Sequence, residues 1–127
     1  MTAPRRQHLV TDHGTYPFDV ALYIGYSPEE VVASLQRRGH PMNTKDRDAL
    51  RARSMGRTVM LASGLTVLRV ERDVSPHRFE AILAHEIFHC VHFLFDRIGL
   101  GYSDTSAEAW AYQIQYLTGS IYERLAP

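Results

Sequence analysis

Residues 83–91 of the chain read LAHEIFHCV, and this stretch determines which fold the rest of the sequence indicates. His85 and His89 are four residues apart, so on a helix their imidazoles stand one turn apart on the same face. The apolar residues around them recur at helical spacing from residue 76 to about residue 97, and Gly99 then ends the pattern. We therefore predict one long helix that carries both histidines.

The predicted helix is apolar over most of its circumference, which is typical of a buried helix. Two histidines and Glu86 inside such a helix lower its stability unless hydrogen bonds or a metal ion satisfy them. A bound metal ion would satisfy the two histidines. The alternative is a histidine pair in the core, hydrogen-bonded to backbone groups or to neighbouring carboxylates.

Histidines four residues apart on a helix can both reach one zinc ion, at about 2.0–2.1 Å from each ring nitrogen. Glu86 is turned about 100° around the helix axis from His85, which directs it toward a zinc-bound water rather than toward the metal. Zinc lowers the pKa of such a water toward about 7, and the carboxylate can then accept its proton as a general base. The pattern predicts Zn²⁺ as cofactor, His85 and His89 as ligands, and Glu86 as the catalytic residue.

A catalytic zinc site also needs a third protein ligand, and the predicted one is Glu108. It lies 19 residues after His89, near the start of a last helix that we predict from residues 103–106 to about Leu125. If this helix packs antiparallel to the first, Glu108 could return to the metal. The alternative role is a first-turn acid that the helix dipole stabilises.

Three further residues are candidates for the site. His92 lies on the histidine stripe, but it rises about 10 Å along the axis from His85, which favours a hydrogen-bonded pair with Asp96 over a shared ion. Asp104 could orient a histidine ligand or could cap the last helix. Tyr112 could donate a hydrogen bond to an oxyanion or could serve in packing.

The other segments indicate an α+β domain with a short mixed sheet. The predicted elements are a strand over 18–24, a helix from Pro28 that stops at Gly39, and a β-hairpin of 57–62 and 65–71 around Ser63-Gly64. The charged segment 45–56 predicts a short helix around Asp46–Arg53 or a mobile loop. Residues 1–15 are polar without a clear period, and we predict a loose tail there.

Length and composition limit the function classes. A chain of 127 residues predicts one domain, residues 1–127. Basic and acidic residues number 14 each, so we expect neither a nucleic-acid nor a membrane partner. The sequence contains neither an apolar stretch of membrane-spanning length nor a signal peptide, and its one cysteine, Cys90, excludes an intrachain disulfide. These features predict a cytoplasmic protein, or one released without a classical signal.

The motif His85-Glu86-x-x-His89, followed by a helical Glu108, resembles the gluzincin branch of the zincin-like metallopeptidases. The likeness covers about residues 57–125. The compact order of strand, helix, hairpin, motif helix and glutamate helix looks like the minimal members, which include small phage and prophage proteins and repressor-cleaving peptidase domains. It implies a zincin-like α+β fold, in which the hairpin packs on the motif helix and a C-terminal glutamate helix follows. Tyr112 stands where the thermolysin-like pattern has an aspartate, so that carboxylate is missing here.

The resemblance also implies an activity. It predicts a zinc metallopeptidase that hydrolyses a peptide or protein substrate, docked along one strand of the Arg57–Glu71 hairpin through backbone hydrogen bonds. The alternative is a non-catalytic zincin-like protein that uses its groove, or the basic segment 37–57, for binding. A phage accessory or structural role belongs to that alternative.

Overall fold

The computed structural model describes residues 4–71 and 75–127, and in these residues it contains four strands and four helices. In chain order these elements are β1 (Gln7–His13), β2 (Tyr16–Ile24), α1 (Pro28–Arg37), α2 (Thr44–Arg51), β3 (Gly56–Met60), β4 (Thr66–Val70), α3 (Pro76–Ile98) and α4 (Ala107–Arg124). The predicted α+β class is confirmed.

The four strands form one mixed sheet in the order β1-β2-β4-β3. The central strands β2 and β4 are parallel, and each outer strand is antiparallel to its neighbour. The predicted hairpin is confirmed as β3 and β4, and Gly64 in its turn has a φ of 101°, which only glycine adopts readily. Strand β3 therefore lies at one edge of the sheet.

The N-terminal segment corrects a prediction, because most of residues 1–15 is not a loose tail. Strand β1 pairs with β2 along its whole length; residues 1–3 lie outside the described part of the chain. Leu9, Thr11 and His13 of β1 point inward and are buried. The period of two was hidden in the sequence because two of these three inward residues are polar.

For the charged segment 45–56 the prediction left a short helix or a mobile loop open, and the structure has the helix, α2. Asn43 begins α2 with a reciprocal capping box, in which its side chain accepts from the Asp46 amide and the Asp46 carboxylate accepts from the Asn43 amide. Asp46 is buried and also accepts from the amide of Ala62, just after β3. These bonds attach α2 to the end of the hairpin.

Helices cover both faces of the sheet. Helices α1 and α2 pack on one face, around Tyr23, Val59 and Val67. Helices α3 and α4 pack on the other face, where Leu68 and Val70 of β4 meet the apolar side of α3. This second layer brings the motif helix alongside the edge strand β3.

Candidate functional site

The two histidines of the motif lie together on the solvent side of α3. The Nε2 atoms of His85 and His89 are 3.0 Å apart. His85 is exposed and His89 is half-buried, which corrects the prediction that α3 is a buried helix. The sheet and α4 cover only part of the helix, and even Phe88 is 47 % exposed.

The geometry of the pair fits two ligands of one metal ion. Two nitrogens bound to one tetrahedral zinc at about 2.0–2.1 Å would be roughly 3.3 Å apart. The observed 3.0 Å is close to that separation, and it also allows one N–H···N hydrogen bond between neutral rings. The pair is therefore suited to zinc, and solvent can reach it.

Glu86 points to the flank of α3 that faces β3, and it is only 5 % exposed. The hydroxyl of Thr58 on β3 lies 2.7 Å from Glu86 Oε1 and 3.1 Å from the Glu86 backbone carbonyl, so it donates to this residue. A carboxylate that is both buried and hydrogen-bonded to a neighbouring element has a fixed orientation. Glu86 thus stands beside the histidine pair and does not share their solvent-facing stripe.

Gly56 on β3 allows this close packing of strand and helix. A Cβ atom at residue 56 would lie 2.5 Å from Ile82 Cγ2 and 2.8 Å from Glu86 Oε2. Both distances are shorter than carbon contacts permit, so any larger residue would push α3 or its side chains away from the strand.

A groove of about 320 Å³ joins these groups, and both the motif and the edge strand contribute to its walls. Its lining residues are Ser54, Gly56, Arg57, Thr58, His85, Glu86, His89 and Phe93. The predicted ligands His85 and His89 and the predicted base Glu86 therefore share one solvent-accessible groove.

The outer edge of β3 borders the groove. Leu61 donates its amide proton to Leu65, and Met55 accepts from Glu71, so the backbone of residues 55 and 61 points toward β4 and its flanking residues. Because antiparallel strands alternate, the backbone groups of Thr58 and Met60 point outward. In the part of the chain that the structure describes, β3 pairs with β4 only.

The structure does not bring Glu108 to the histidine pair. Glu108 is exposed in the first turn of α4, about 200° around the helix from Trp110, which is 4 % exposed and faces the core. Across residues 4–71 and 75–127, no three histidine, cysteine or acidic side chains are grouped so that they could hold a metal ion. The ligand role of Glu108 stays a prediction, and two of the three predicted ligands are together.

The three other candidates also lie apart from the pair. His92 is exposed and its ring packs against Phe88 and Trp110, with centroids 6.4 and 5.8 Å away. Asp104 is exposed in the turn before α4. Tyr112 is 66 % exposed on the outer side of α4.

Sequence reasoning missed the residues of β3 and β4 that support the site. Thr58 and Gly56 contact Glu86, and Arg69 on β4 donates to the carbonyls of Ala52 and Ser54, which holds the segment that leads into β3. The alternation along β3 was a usable signal, because residues two apart on a strand share a face. It would have placed Gly56 and Thr58 together, but not opposite Glu86.

The search for related proteins gives no family for this chain. It matches no protein-family model, and no match was found among curated proteins or solved structures. In the described residues, no helix is both long and apolar enough to cross a membrane. The geometry around His85, Glu86 and His89 therefore supports the functional proposal by itself.

Proposed function

We propose that the chain is a zinc-dependent metallopeptidase that hydrolyses peptide bonds. The observation that supports this most is the 3.0 Å separation of the His85 and His89 Nε2 atoms, with the buried Glu86 carboxylate on the adjacent flank of the same helix turn. His85 and His89 would hold the zinc. When bound, zinc would act as a Lewis acid and lower the pKa of a coordinated water.

Glu86 would serve as the general base. Its Oε1 atom is engaged by Thr58, whereas Oε2 faces the space above Gly56, in the wall of the groove. A carboxylate in this position can accept a proton from water and later give it to the leaving amine. Because Glu86 is only 5 % exposed, few bulk water molecules compete for hydrogen bonds to its carboxylate.

A peptide substrate fits the open edge of β3. The outward backbone groups of Thr58 and Met60 offer a donor and an acceptor at alternate positions, which is the pattern by which an extended peptide adds to a sheet. A peptide bound there would run along the groove that His85 and His89 line. The edge strand thus supports peptides over compact small molecules as substrates.

A second candidate function is non-catalytic binding in the same groove, as in an accessory or structural protein. The placement of Glu108 favours it, because a catalytic zinc site has three protein ligands and this residue lies on the outer side of α4. The two functions differ in one measurable property, which is peptide-bond cleavage.

The test is cleavage of a fluorescence-quenched peptide library by the zinc-loaded protein and by Glu86→Gln. Glu80→Gln is the matched control, because Glu80 is an exposed glutamate on the same helix. We expect the wild type and Glu80→Gln to cleave, and Glu86→Gln to keep zinc while losing at least about a hundredfold in rate. A wild-type protein that binds zinc and cleaves nothing would support the binding function instead.

A further inference from the structure

We propose that Thr58 on β3 is a positioning residue, which orients Glu86 for its role as base, and that Gly56 supplies the space this requires. The inference rests on the proposed function, because it assigns a purpose to the Glu86 orientation. Neither residue would be found from the motif, since Thr58 precedes Glu86 by 28 positions.

The first support is the hydrogen bond itself. Thr58 Oγ1 lies 2.7 Å from Glu86 Oε1, which is the usual distance for a hydroxyl donor and an oxygen acceptor. A free glutamate side chain has several rotamers, and restricting it to one of them costs conformational entropy. The bond to a strand residue restricts Glu86 to the rotamer that points along the groove wall.

The second support is the absence of a side chain at residue 56. Gly56 and Thr58 are two apart on β3, so both face α3. Thr58 contacts one carboxylate oxygen, and the other oxygen lies where a Cβ at residue 56 would come within 2.8 Å. Strand β3 therefore holds one oxygen by a hydrogen bond and leaves room for the other at Gly56.

The third support is the double role of Thr58 in the strand. Its side chain bonds Glu86, whereas its backbone faces the open edge that would hold a peptide. Arg69 holds the segment before β3 by donating to the carbonyls of Ala52 and Ser54. A peptide docked on β3 would thus be held in a fixed register relative to Glu86, and correct orientation of reacting groups accounts for a large part of catalysis.

The first experiment measures the contact in metal-free protein, without any activity assay. Urea unfolding is followed for the wild type, Thr58→Val, Glu86→Ala and the double variant, which together form a double-mutant cycle. We expect Thr58→Val to lower the midpoint more in the wild-type background than in the Glu86→Ala background. The hydroxyl has one proton, and in the Glu86→Ala background the backbone carbonyl of residue 86 accepts it. The coupling therefore measures how much more the carboxylate bond stabilises the fold than the carbonyl bond does.

The second experiment measures kcat and KM on the best-cleaved peptide of the quenched library. Thr58→Val should lower kcat about tenfold or more, with KM and zinc content unchanged, since it removes one hydrogen bond to a charged group. Thr58→Ser keeps the hydroxyl and should restore kcat to within about twofold. If Thr58 only stabilised the fold, Thr58→Val would lower the urea midpoint and leave the kcat of the folded protein unchanged.

A third variant tests whether the space at Gly56 is needed for the orientation of Glu86. Gly56→Ala should lower kcat, and it should still do so in an Ile82→Ala background. There the contact of the new Cβ with Ile82 is relieved, and its contacts with Oε2 and Cγ of Glu86 remain. If Ile82→Ala restores full kcat to Gly56→Ala, the Glu86 contact is irrelevant and that part of the inference is overturned.

The outcomes separate the inference from the proposed function. An active wild type whose kcat is unchanged by Thr58→Val, or a cycle without coupling, overturns the positioning role and leaves the peptidase proposal intact. An inactive wild type overturns both, even if the coupling is present, because Thr58 then only stabilises the fold. Coupling, loss of kcat and rescue by serine together support the inference.

Discussion

Gln113 on α4 donates a hydrogen bond to the backbone carbonyl of His13 on β1, across a distance of 3.1 Å inside the protein. The His13 ring is 1 % exposed, and its Nε2 atom lies 3.8 Å from Cys90 Sγ on α3. These two contacts link strand β1 to α4 and to α3. It also buries a titratable ring, which has a consequence for acid stability.

We predict that the protein loses stability between about pH 6.5 and pH 4 because of His13. Burial lowers the pKa of His13 from 6.5 to about 4, and it outweighs the attraction of Asp12 and Asp19 for the charged ring. In this interval the unfolded chain binds a proton that the folded chain does not, so the free energy of unfolding falls as the pH falls. The loss is up to about 3 kcal/mol and ends below the folded pKa.

Urea unfolding across this pH interval checks the prediction, with His13→Gln as the test and the exposed His92→Gln as the control. His13→Gln should flatten the pH dependence, whereas His92→Gln should not. Part of the slope should persist in both variants, because burial and the charge of Arg38 lower the pKa of His8 to about 4 as well. Equal slopes for the wild type and His13→Gln would show that His13 is not buried as described.

Cys90 should be inert toward thiol reagents in the folded protein. It is 0 % exposed, and burial raises the pKa of its thiol well above the usual range, so little thiolate forms at neutral pH. Titration with a chromogenic disulfide at pH 8 should label the thiol in denaturant and leave it unlabelled in buffer. Rapid labelling of the native protein would place Cys90 at the surface.

Two glycines with positive φ should differ in their tolerance of alanine. Gly99 ends α3 with a φ of 81° and has nothing within 4 Å of an added Cβ, so Gly99→Ala should lower stability by about 1–2 kcal/mol. Gly64 has a φ of 101°, and its added Cβ would lie 2.6 Å from the ring of Phe18. Gly64→Ala should therefore cost about 1–3 kcal/mol more than Gly99→Ala, as measured by thermal or urea unfolding.

Glu108→Ala separates the ligand prediction from the position that the structure gives this residue. With Glu108 on the outer side of α4, the variant should keep the zinc content and the stability of the wild type, because exposed side chains change stability by less than about 0.5 kcal/mol. Metal analysis after gel filtration checks this. Loss of zinc from the variant would mean that α4 turns its first residues toward α3 when the metal binds.

The sequence predicted α1, α3, α4, the hairpin and strand β2 because each has a local signal, and it left α2 as one of two alternatives. Ser27-Pro28 and Ser75-Pro76 begin two helices with a capping serine and a proline, and Gly39 and Gly99 follow their ends. Strand β1 has no such signal, because Thr11 and His13 fill inward positions with polar side chains. Their partners are on α4, about a hundred residues away, and no local pattern reports them.

The candidate site could be predicted only as far as one helix determines it. The spacing of His85 and His89 places both rings on one face of α3, and the structure confirms that they meet. The position of Glu108 depends on how α4 is rotated about its axis, which is set by the packing of Trp110 and Leu117 in the core. The contact of Thr58 with Glu86 depends on how closely α3 packs against β3. This close packing requires a glycine at residue 56.

The central claim is that His85 and His89 bind zinc, and the most direct test is the zinc content of four purified proteins. These are the wild type, His85→Ala, His89→Ala and His92→Ala, each equilibrated with micromolar zinc, freed of unbound metal and analysed by mass spectrometry. We predict one zinc per chain in the wild type and in His92→Ala, and little or none in the other two. A wild type without zinc, or equal zinc in all four proteins, would contradict the claim.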